Sequence, residues 1–128
     1  MIRVLAMNHV SLLVSDTARA LDFYHGLLGL AIDGSRPDLG FPGAFLDAGN
    51  AQIHLLELAP PLARAAGGKH GGRDWHVALE VADLDAAIAE LERVGIAYTV
   101  SRSGRRALFC RDPDGNAVEL VESPAGPD

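Results

Sequence analysis

Apolar and polar positions along the first half of the chain follow the period of a strand and then the period of a helix. Loose alternation and many aliphatic or β-branched residues at the start predict a strand. A helical stripe follows, and then two strands joined at Gly49-Asn50, a dipeptide typical of hairpins. The predicted elements are strands at residues 4–14, 30–32, 44–48 and 51–58 and a helix between a cap at Asp16 or Thr17 and a terminating Gly29.

The second half of the chain repeats this pattern. Asp112-Pro113-Asp114-Gly115 supplies a turn between its last two strands. The predicted elements are strands at residues 75–81, 96–101, 107–111 and 117–121 and a helix that is capped by Asp83 and ends at Gly95. Each half is therefore predicted to be a β-α-β-β-β module, which places the protein in the α+β class.

The two halves also share sequence, and the shared positions carry metal-ligating residue types. NHVSLLVSDTARA in the first half aligns with WHVALEVADLDAA in the second, so that His9 falls on His76. Near the end of each half, GNAQIHLLE aligns with GNAVELVE when one residue is dropped, so that His54 falls on Glu119. Each half thus offers a histidine near its start and a second potential ligand near its end.

The length of the chain predicts one domain rather than two. Its 128 residues can bury a core, whereas a module of half that size would be marginal alone. We therefore expect a single domain over residues 1–123. Its parts are a module at residues 1–58, a Gly- and Pro-rich linker at 59–74 and a module at 75–123, with a frayed tail at 124–128.

Charge and cysteine content exclude several classes of function. The formal net charge is −6 and no basic block is present, which argues against nucleic acid as a partner. The single cysteine, Cys110, permits no internal disulfide, and we expect it to be a buried apolar residue. No signal peptide or membrane span is recognisable, so a cytoplasmic location without membrane attachment is expected.

His9, His54, His76 and Glu119 are each expected within a predicted strand. A polar side chain at the centre of an apolar strand is costly unless it has a partner, and a metal ion would supply one. A pseudo-twofold relation between the halves would bring all four around one divalent ion such as Zn²⁺, Ni²⁺, Co²⁺, Mn²⁺ or Fe²⁺. The alternative for each residue alone is an ordinary hydrogen-bonded or solvated side chain.

The segments that carry the repeat resemble one protein family. NHVSLLVSD, LDFYHGLLGL, WHVALEVADLDAAI and FCRDPDGNAVELVE are similar to sequences of the vicinal oxygen chelate superfamily. That superfamily includes glyoxalase I, fosfomycin-resistance thiol transferases, extradiol dioxygenases, methylmalonyl-CoA epimerase and bleomycin-binding proteins. The resemblance implies paired βαβββ modules that form a cupped mixed sheet around a metal site. It implies a homodimer as well.

By this resemblance the metal ligands are His9, His54, His76 and Glu119, with Glu119 also acting as a base. The expected activity is that of a glyoxalase-like lyase or isomerase on a small substrate with vicinal oxygens, with room for a thiol cosubstrate such as glutathione. His54 departs from the common glyoxalases, which have a glutamate there. A dioxygenase or thiol transferase that uses three ligands and leaves His54 near the substrate is therefore an alternative. So is a non-catalytic antibiotic-binding protein, although such proteins generally lack the ligands.

Three further residues are candidates for substrate binding. Arg105 lies in a loop with other arginines and could hold a carboxylate or phosphate. Phe45 and Phe109 occupy comparable places in the two halves and could line a pocket, although such aromatics are more often part of the core. Trp75 precedes His76 and should therefore point to the opposite face of the sheet, toward the helices.

Overall fold

The computed structural model describes residues 1–58 and 70–125, and the chain divides into two compact units, Met1–Leu62 and Ala63–Asp128. Each unit contains one four-stranded mixed sheet. The predicted linker lies mostly outside the described residues, as does the end of the predicted tail. The expectation that both modules form one domain over residues 1–123 stays a prediction.

The first unit has the predicted β-α-β-β-β order. Its elements are β1 His9–Val14, α1 Thr17–Leu21, a π-helical continuation Asp22–Leu27, β2 Ala31–Asp33, β3 Gly43–Asp47 and β4 Gln52–Glu57. The strands lie in the order β1-β4-β3-β2. β1 is parallel to β4, and the remaining neighbours are antiparallel. The long strand β4 therefore lies between β1 and β3.

The second unit repeats this arrangement. Its elements are a 3₁₀ turn Gly71–Arg73, β5 His76–Val81, α2 Leu84–Val94, β6 Tyr98–Val100, β7 Ala107–Arg111 and β8 Ala117–Glu122. The strands lie in the order β5-β8-β7-β6, with β5 parallel to β8. Paired βαβββ modules and the α+β class are thereby confirmed.

Both helices are held at their N-termini by equivalent interactions. The side chain of Asp16 accepts a hydrogen bond from the Arg19 amide at 3.1 Å, and Asp83 accepts one from the Ala86 amide at 3.0 Å. The last residue of β4, Glu57, accepts from the first helical amide at 2.6 Å. Glu122 does the same at the end of β8, at 2.9 Å. The last strand of each module thus fixes the start of its helix.

One face of each sheet forms an apolar core with residues of its helical segment. In the first unit the largest fully buried side chains are Val14, Tyr24, Leu46, Ile53 and Leu55. In the second unit they are Leu91, Leu108, Val118 and Leu120. Cys110 belongs to this core as predicted, and its burial, followed by the charge of Asp112, raises the pKa of the thiol to about 11.

Two expectations about local structure are wrong. The first strand begins at His9 rather than at residue 4, because its partner β4 begins at Gln52 and offers no residues for pairing before that point. Trp75 does not pack toward the helices: it precedes β5 and is 86% exposed.

Among the described residues, no helix is both long and apolar enough to cross a membrane.

Candidate functional site

The register of the two sheets agrees with the alignment of the two halves. His54 on β4 lies opposite Ser11 on β1 and Phe45 on β3. At the same place in the second sheet, Glu119 on β8 lies opposite Ala78 on β5 and Phe109 on β7. His9 and His76 are each the first residue of the parallel strand. The structure therefore places the predicted ligands at equivalent positions on equivalent strands.

In the first unit the structure brings His9 and His54 together. Their ring centroids are 3.9 Å apart and the rings are nearly parallel, at 16°. Phe45 stacks on His54 with a centroid distance of 3.5 Å and an angle of 6°. Since β1 and β3 flank β4, the imidazole of His54 lies between the other two rings. Phe45, predicted to line a pocket, thus contacts a candidate ligand directly.

Hydrogen bonds fix the protonation pattern of this histidine pair. The Nε2 of His54 lies 2.9 Å from the side-chain oxygen of Gln52, which can only accept, so Nε2 carries the proton. The Nδ1 of His9 lies 2.6 Å from the side-chain oxygen of Asn8 and is the donor for the same reason. In the neutral form of either ring, the lone pair is therefore on the other nitrogen, where a metal ion could bind.

The surroundings of His54 favour its neutral form. Burial, followed by the charge of His9, lowers the pKa of His54. The carboxylate of Asp33 opposes this shift, and the guanidinium of Arg36 adds to it. Asp33 accepts a hydrogen bond from Gln52 at 2.8 Å, so the carboxylate and the imidazole are linked through one amide. A neutral imidazole is the form that binds metal.

In the second unit the structure brings His76 and Glu119 together. His76 places its Nδ1 2.9 Å from the carbonyl oxygen of Asp74, to which it donates, so that the lone pair of the neutral ring is on Nε2. That Nε2 lies 3.2 Å from the Oε1 of Glu119, whose side chain is 3% exposed. Two lone-pair-bearing atoms at this distance require a cation to share, either a proton on Nε2 or a metal ion.

Arg105 also contacts Glu119. Its Nη2 donates to Oε2 of Glu119 at 3.0 Å, although the arginine side chain itself is 61% exposed. The two oxygens of the buried carboxylate thus have different partners: Oε1 faces His76 and Oε2 faces Arg105. The structure places the arginine chosen from the sequence beside a candidate ligand, while its role toward substrate stays a prediction.

Phe109 and the turn before β5 complete this face of the second sheet. The ring of Phe109 meets His76 edge-on, with centroids 5.1 Å apart, and meets His70 edge-on at 4.9 Å. His70 also bonds to the Thr99 hydroxyl at 2.6 Å. A Cβ added to Gly71 would lie 3.0 Å from the Cβ of Ala117, so the turn rests directly on the sheet. His70 falls within the predicted linker at residues 59–74, and the pattern of the sequence did not predict this packing.

A second cation near the site was also missed. Arg36 follows β2, and its guanidinium lies 6.0 Å from the ring centroid of Phe45. It donates to the carbonyl oxygen of Phe41 at 2.9 Å. No motif distinguishes Arg36 from other loop arginines, so its proximity to Phe45 and His54 could be found only from the folded structure.

The donors in these two pairs fit a divalent transition metal, because neutral imidazole and carboxylate are its usual protein ligands. Within residues 1–58 and 70–125, no three His, Cys, Asp or Glu side chains are grouped closely enough to form a metal site. The geometry thus supports each pair within its own unit. Sharing of one ion by all four residues stays a prediction.

Comparison with known proteins establishes the family. A sequence profile of the Glyoxalase/Bleomycin resistance protein/Dioxygenase superfamily matches residues 6–120. The chain belongs to this superfamily. The resemblance noted in the sequence is thereby confirmed, and the match includes all four candidate ligands.

Relatives within the superfamily differ in what they do. The chain is 31% identical over 121 residues to Glyoxylase I 4 of Arabidopsis thaliana, covering 90% of this chain and 69% of the relative. It is 28% identical over 137 residues to the mitochondrial methylmalonyl-CoA epimerase of Homo sapiens, covering 91% and 73%. TnmS3, an antibiotic-binding protein from Streptomyces sp. CB03234, has the same fold, with a TM-score of 0.73 at 22% identity over 95% of this chain and 98% of that one. Its sequence relatives thus include enzymes, and an antibiotic-binding protein shares its fold.

Proposed function

We propose that this protein is a metal-dependent enzyme of glyoxalase type, which moves a proton at a carbon beside the vicinal oxygens of a small substrate. The observation that carries the proposal is the contact between His76 and Glu119. Nε2 of the histidine lies 3.2 Å from Oε1 of the glutamate, whose carboxylate is buried. A metal ion bound by both atoms would satisfy this contact, as would a proton on Nε2, and metal analysis distinguishes the two.

In this proposal His9, His54, His76 and Glu119 are ligands of one divalent ion such as Zn²⁺, Ni²⁺, Co²⁺, Mn²⁺ or Fe²⁺. The ion would act as a Lewis acid toward the vicinal oxygens of the substrate. The second-sphere hydrogen bonds support this assignment: Gln52, Asn8 and the Asp74 carbonyl each fix one nitrogen of a histidine and leave the other available.

Glu119 would also be the general base. Its carboxylate would take a proton from a substrate carbon and return it to the neighbouring carbon, which gives an isomerisation without gain or loss of atoms. Because the Arg105 side chain is mostly exposed, it can turn away and release Oε2 without a change in the backbone. Two enzymes among the relatives, a glyoxylase I and an epimerase, fit this proposal, because an epimerase also removes and returns a proton.

The test is the metal content of untagged protein together with the content of matched variants. About one equivalent of a divalent transition metal per chain is expected for the parent, with strong loss in His76→Ala and Glu119→Gln. His25→Ala is the control, because His25 is exposed and its Nδ1 bonds to the Leu30 carbonyl oxygen. Unchanged metal content in His76→Ala or Glu119→Gln would exclude the assigned ligands.

The reaction is tested with the loaded protein in D₂O, with methylglyoxal in the presence and absence of glutathione. Product formation and the position of deuterium are read by NMR. If Glu119→Gln loses more turnover than its loss of bound metal explains, this result would support Glu119 as the general base. Binding of metal without turnover of either mixture would favour the dioxygenase or transferase alternatives. Failure to bind any metal after reconstitution would favour an antibiotic-binding protein.

The homodimer and the cytoplasmic location stay predictions.

A further inference from the structure

Arg36 is an arginine whose hydrogen-bonding capacity is only partly used. Its Nη2 donates to the Phe41 carbonyl, and its guanidinium lies 5.5 Å from the Phe41 ring centroid and 6.0 Å from that of Phe45. Its Nε is buried and has no hydrogen-bond partner. Leaving a buried N–H unpaired costs free energy, and an acceptor oxygen that reaches Nε would recover it.

Arg36 also has no carboxylate partner among the described residues. Four other arginines, by contrast, each pair with an acid: Arg93 with Glu90, Arg105 with Glu119, Arg106 with Asp85 and Glu122, and Arg111 with Asp74. Arg36 is half-buried, where an unpaired charge is less well solvated than at the surface. The nearby acid Asp33 is already occupied by Ser35 and Gln52.

The guanidinium lies on the face of the first sheet that carries His54. Gly43 and Phe45 are two residues apart on β3 and share a face, and Phe45 stacks on His54. A Cβ added to Gly43 would overlap the backbone oxygen of Leu55 and lie 2.9 Å from Nη2 of Arg36, so the guanidinium lies close against β3 at this glycine. The cation is also close enough to lower the pKa of His54.

We propose that Arg36 binds an oxyanion of the substrate, so that the vicinal oxygens are presented together with a carboxylate or phosphate group. A guanidinium is matched to such groups because its planar N–H donors align with two oxygens. The inference rests on the proposed function, since it assumes that His54 faces the reacting part of the same molecule. It narrows the substrate class to small anionic compounds such as hydroxy acids, keto acids and phosphate esters.

A competing explanation is that Arg36 only closes its loop by bonding to Phe41. The two explanations differ in what they predict for an added anion. The probe is glycolate, which has a hydroxyl beside a carboxylate, compared with its neutral amide, glycolamide, at matched ionic strength. Titrations of ¹⁵N-labelled, metal-free protein are followed by NMR at the Arg36 Nε–Hε signal, and inorganic phosphate is titrated in a parallel series.

Glycolate is expected to shift the Arg36 signal in a saturable manner, and glycolamide is not. Comparison of glycolate with phosphate decides which oxyanion is preferred. Arg36→Gln should weaken glycolate binding, read at the Phe45 and His54 amides, about ten-fold or more, because a charge-assisted pair is lost. Arg3→Gln, which removes an exposed charge from the same unit, should leave binding unchanged.

Equal shifts of the Arg36 signal with glycolate and glycolamide would overturn the inference. A signal that neither glycolate nor phosphate shifts would also overturn it. These titrations use the parent protein, so their result remains valid if Arg36→Gln fails to fold. Failure of the proposed function has a different signature, which is absence of metal binding. Metal binding without an oxyanion effect at Arg36 would leave the proposed function intact and refute only this inference.

Discussion

Arg105 and a metal ion should compete for the same carboxylate, and this competition can be measured. In the structure, Arg105 donates to Oε2 of Glu119 at 3.0 Å. If Glu119 is a metal ligand, the ion and the guanidinium both place positive charge on one buried carboxylate. Replacing Arg105 by glutamine should therefore change two quantities in opposite directions. The metal-free protein should lose stability, and its affinity for the metal should rise.

The size of both effects follows from the exposure of the two partners. A hydrogen bond to a charged group contributes about 1.5–3 kcal/mol, whereas an exposed ion pair contributes about 0–1 kcal/mol. Glu119 has a side-chain exposure of 3% but Arg105 one of 61%, so we expect about 1 kcal/mol. That corresponds to a fall of roughly 4 °C in the Tm of the metal-free protein. The same free energy of about 1 kcal/mol should lower the Kd of Arg105→Gln for the metal about five-fold, because the guanidinium no longer competes for Glu119.

The assay is thermal unfolding of parent and variant, in chelator and in a fixed excess of Zn²⁺, with Kd measured by competition against a chromogenic chelator. Metal should raise the stability of Arg105→Gln by about 1 kcal/mol more than that of the parent. The control is Arg106→Gln, which removes a neighbouring charge that pairs with Asp85 and Glu122 instead. Its metal-induced stabilisation should equal that of the parent. Equal stabilisation of parent and Arg105→Gln would refute competition for Glu119.

Three other predictions test particular residues. His54→Ala should lower metal affinity strongly if the ion has four ligands; retained metal with a changed substrate profile would support the three-ligand alternative. Hydrogen bonds, chiefly from the Ser35 hydroxyl, lower the pKa of Asp33 from 3.8 to about 2, so its stabilising effect is complete above pH 3.8 and is lost toward pH 2. Urea unfolding should therefore show the stability difference between parent and Asp33→Asn shrinking across that interval, and a constant difference would contradict this. With its pKa raised to about 11 by burial, the Cys110 thiol should resist iodoacetamide at pH 8 until the protein is unfolded, and rapid labelling of the native protein would show that it is accessible.

The arrangement of the strands and the equivalence of the candidate ligands could be predicted because both depend on local pattern. Side chains alternate across a strand, so the position of a residue in the repeat fixes its face and its neighbours. His54 and Glu119 accordingly occupy the same place in the two sheets. The turn dipeptides and helix caps were equally readable, because they act within a few residues.

Contacts between segments distant in sequence could not be predicted in this way. The packing of His70 on Phe109 depends on a turn that lies across the sheet, and no periodicity encodes it. Arg36 lies beside Gly43 and Phe45 of β3, which is evident only when both segments are folded. The exposure of Trp75 was missed because the residue lies just before its strand, where alternation no longer determines direction.

The difference between His54 and Glu119 can be understood from what surrounds each position. Glu119 is buried with His76 and Arg105 as partners, so a carboxylate is compensated there by an imidazole and a cation. The equivalent place in the first unit lies between the rings of His9 and Phe45, and a neutral imidazole stacks there without an uncompensated charge. A glutamate at that place would lose both ring contacts, and Arg36 is a cation close enough to affect the pKa of the residue there. A carboxylate there would place a negative charge near Arg36, whereas a neutral His54 leaves that charge to an anionic ligand. The departure from the common glyoxalases at this position is therefore consistent with a substrate that brings the negative charge itself.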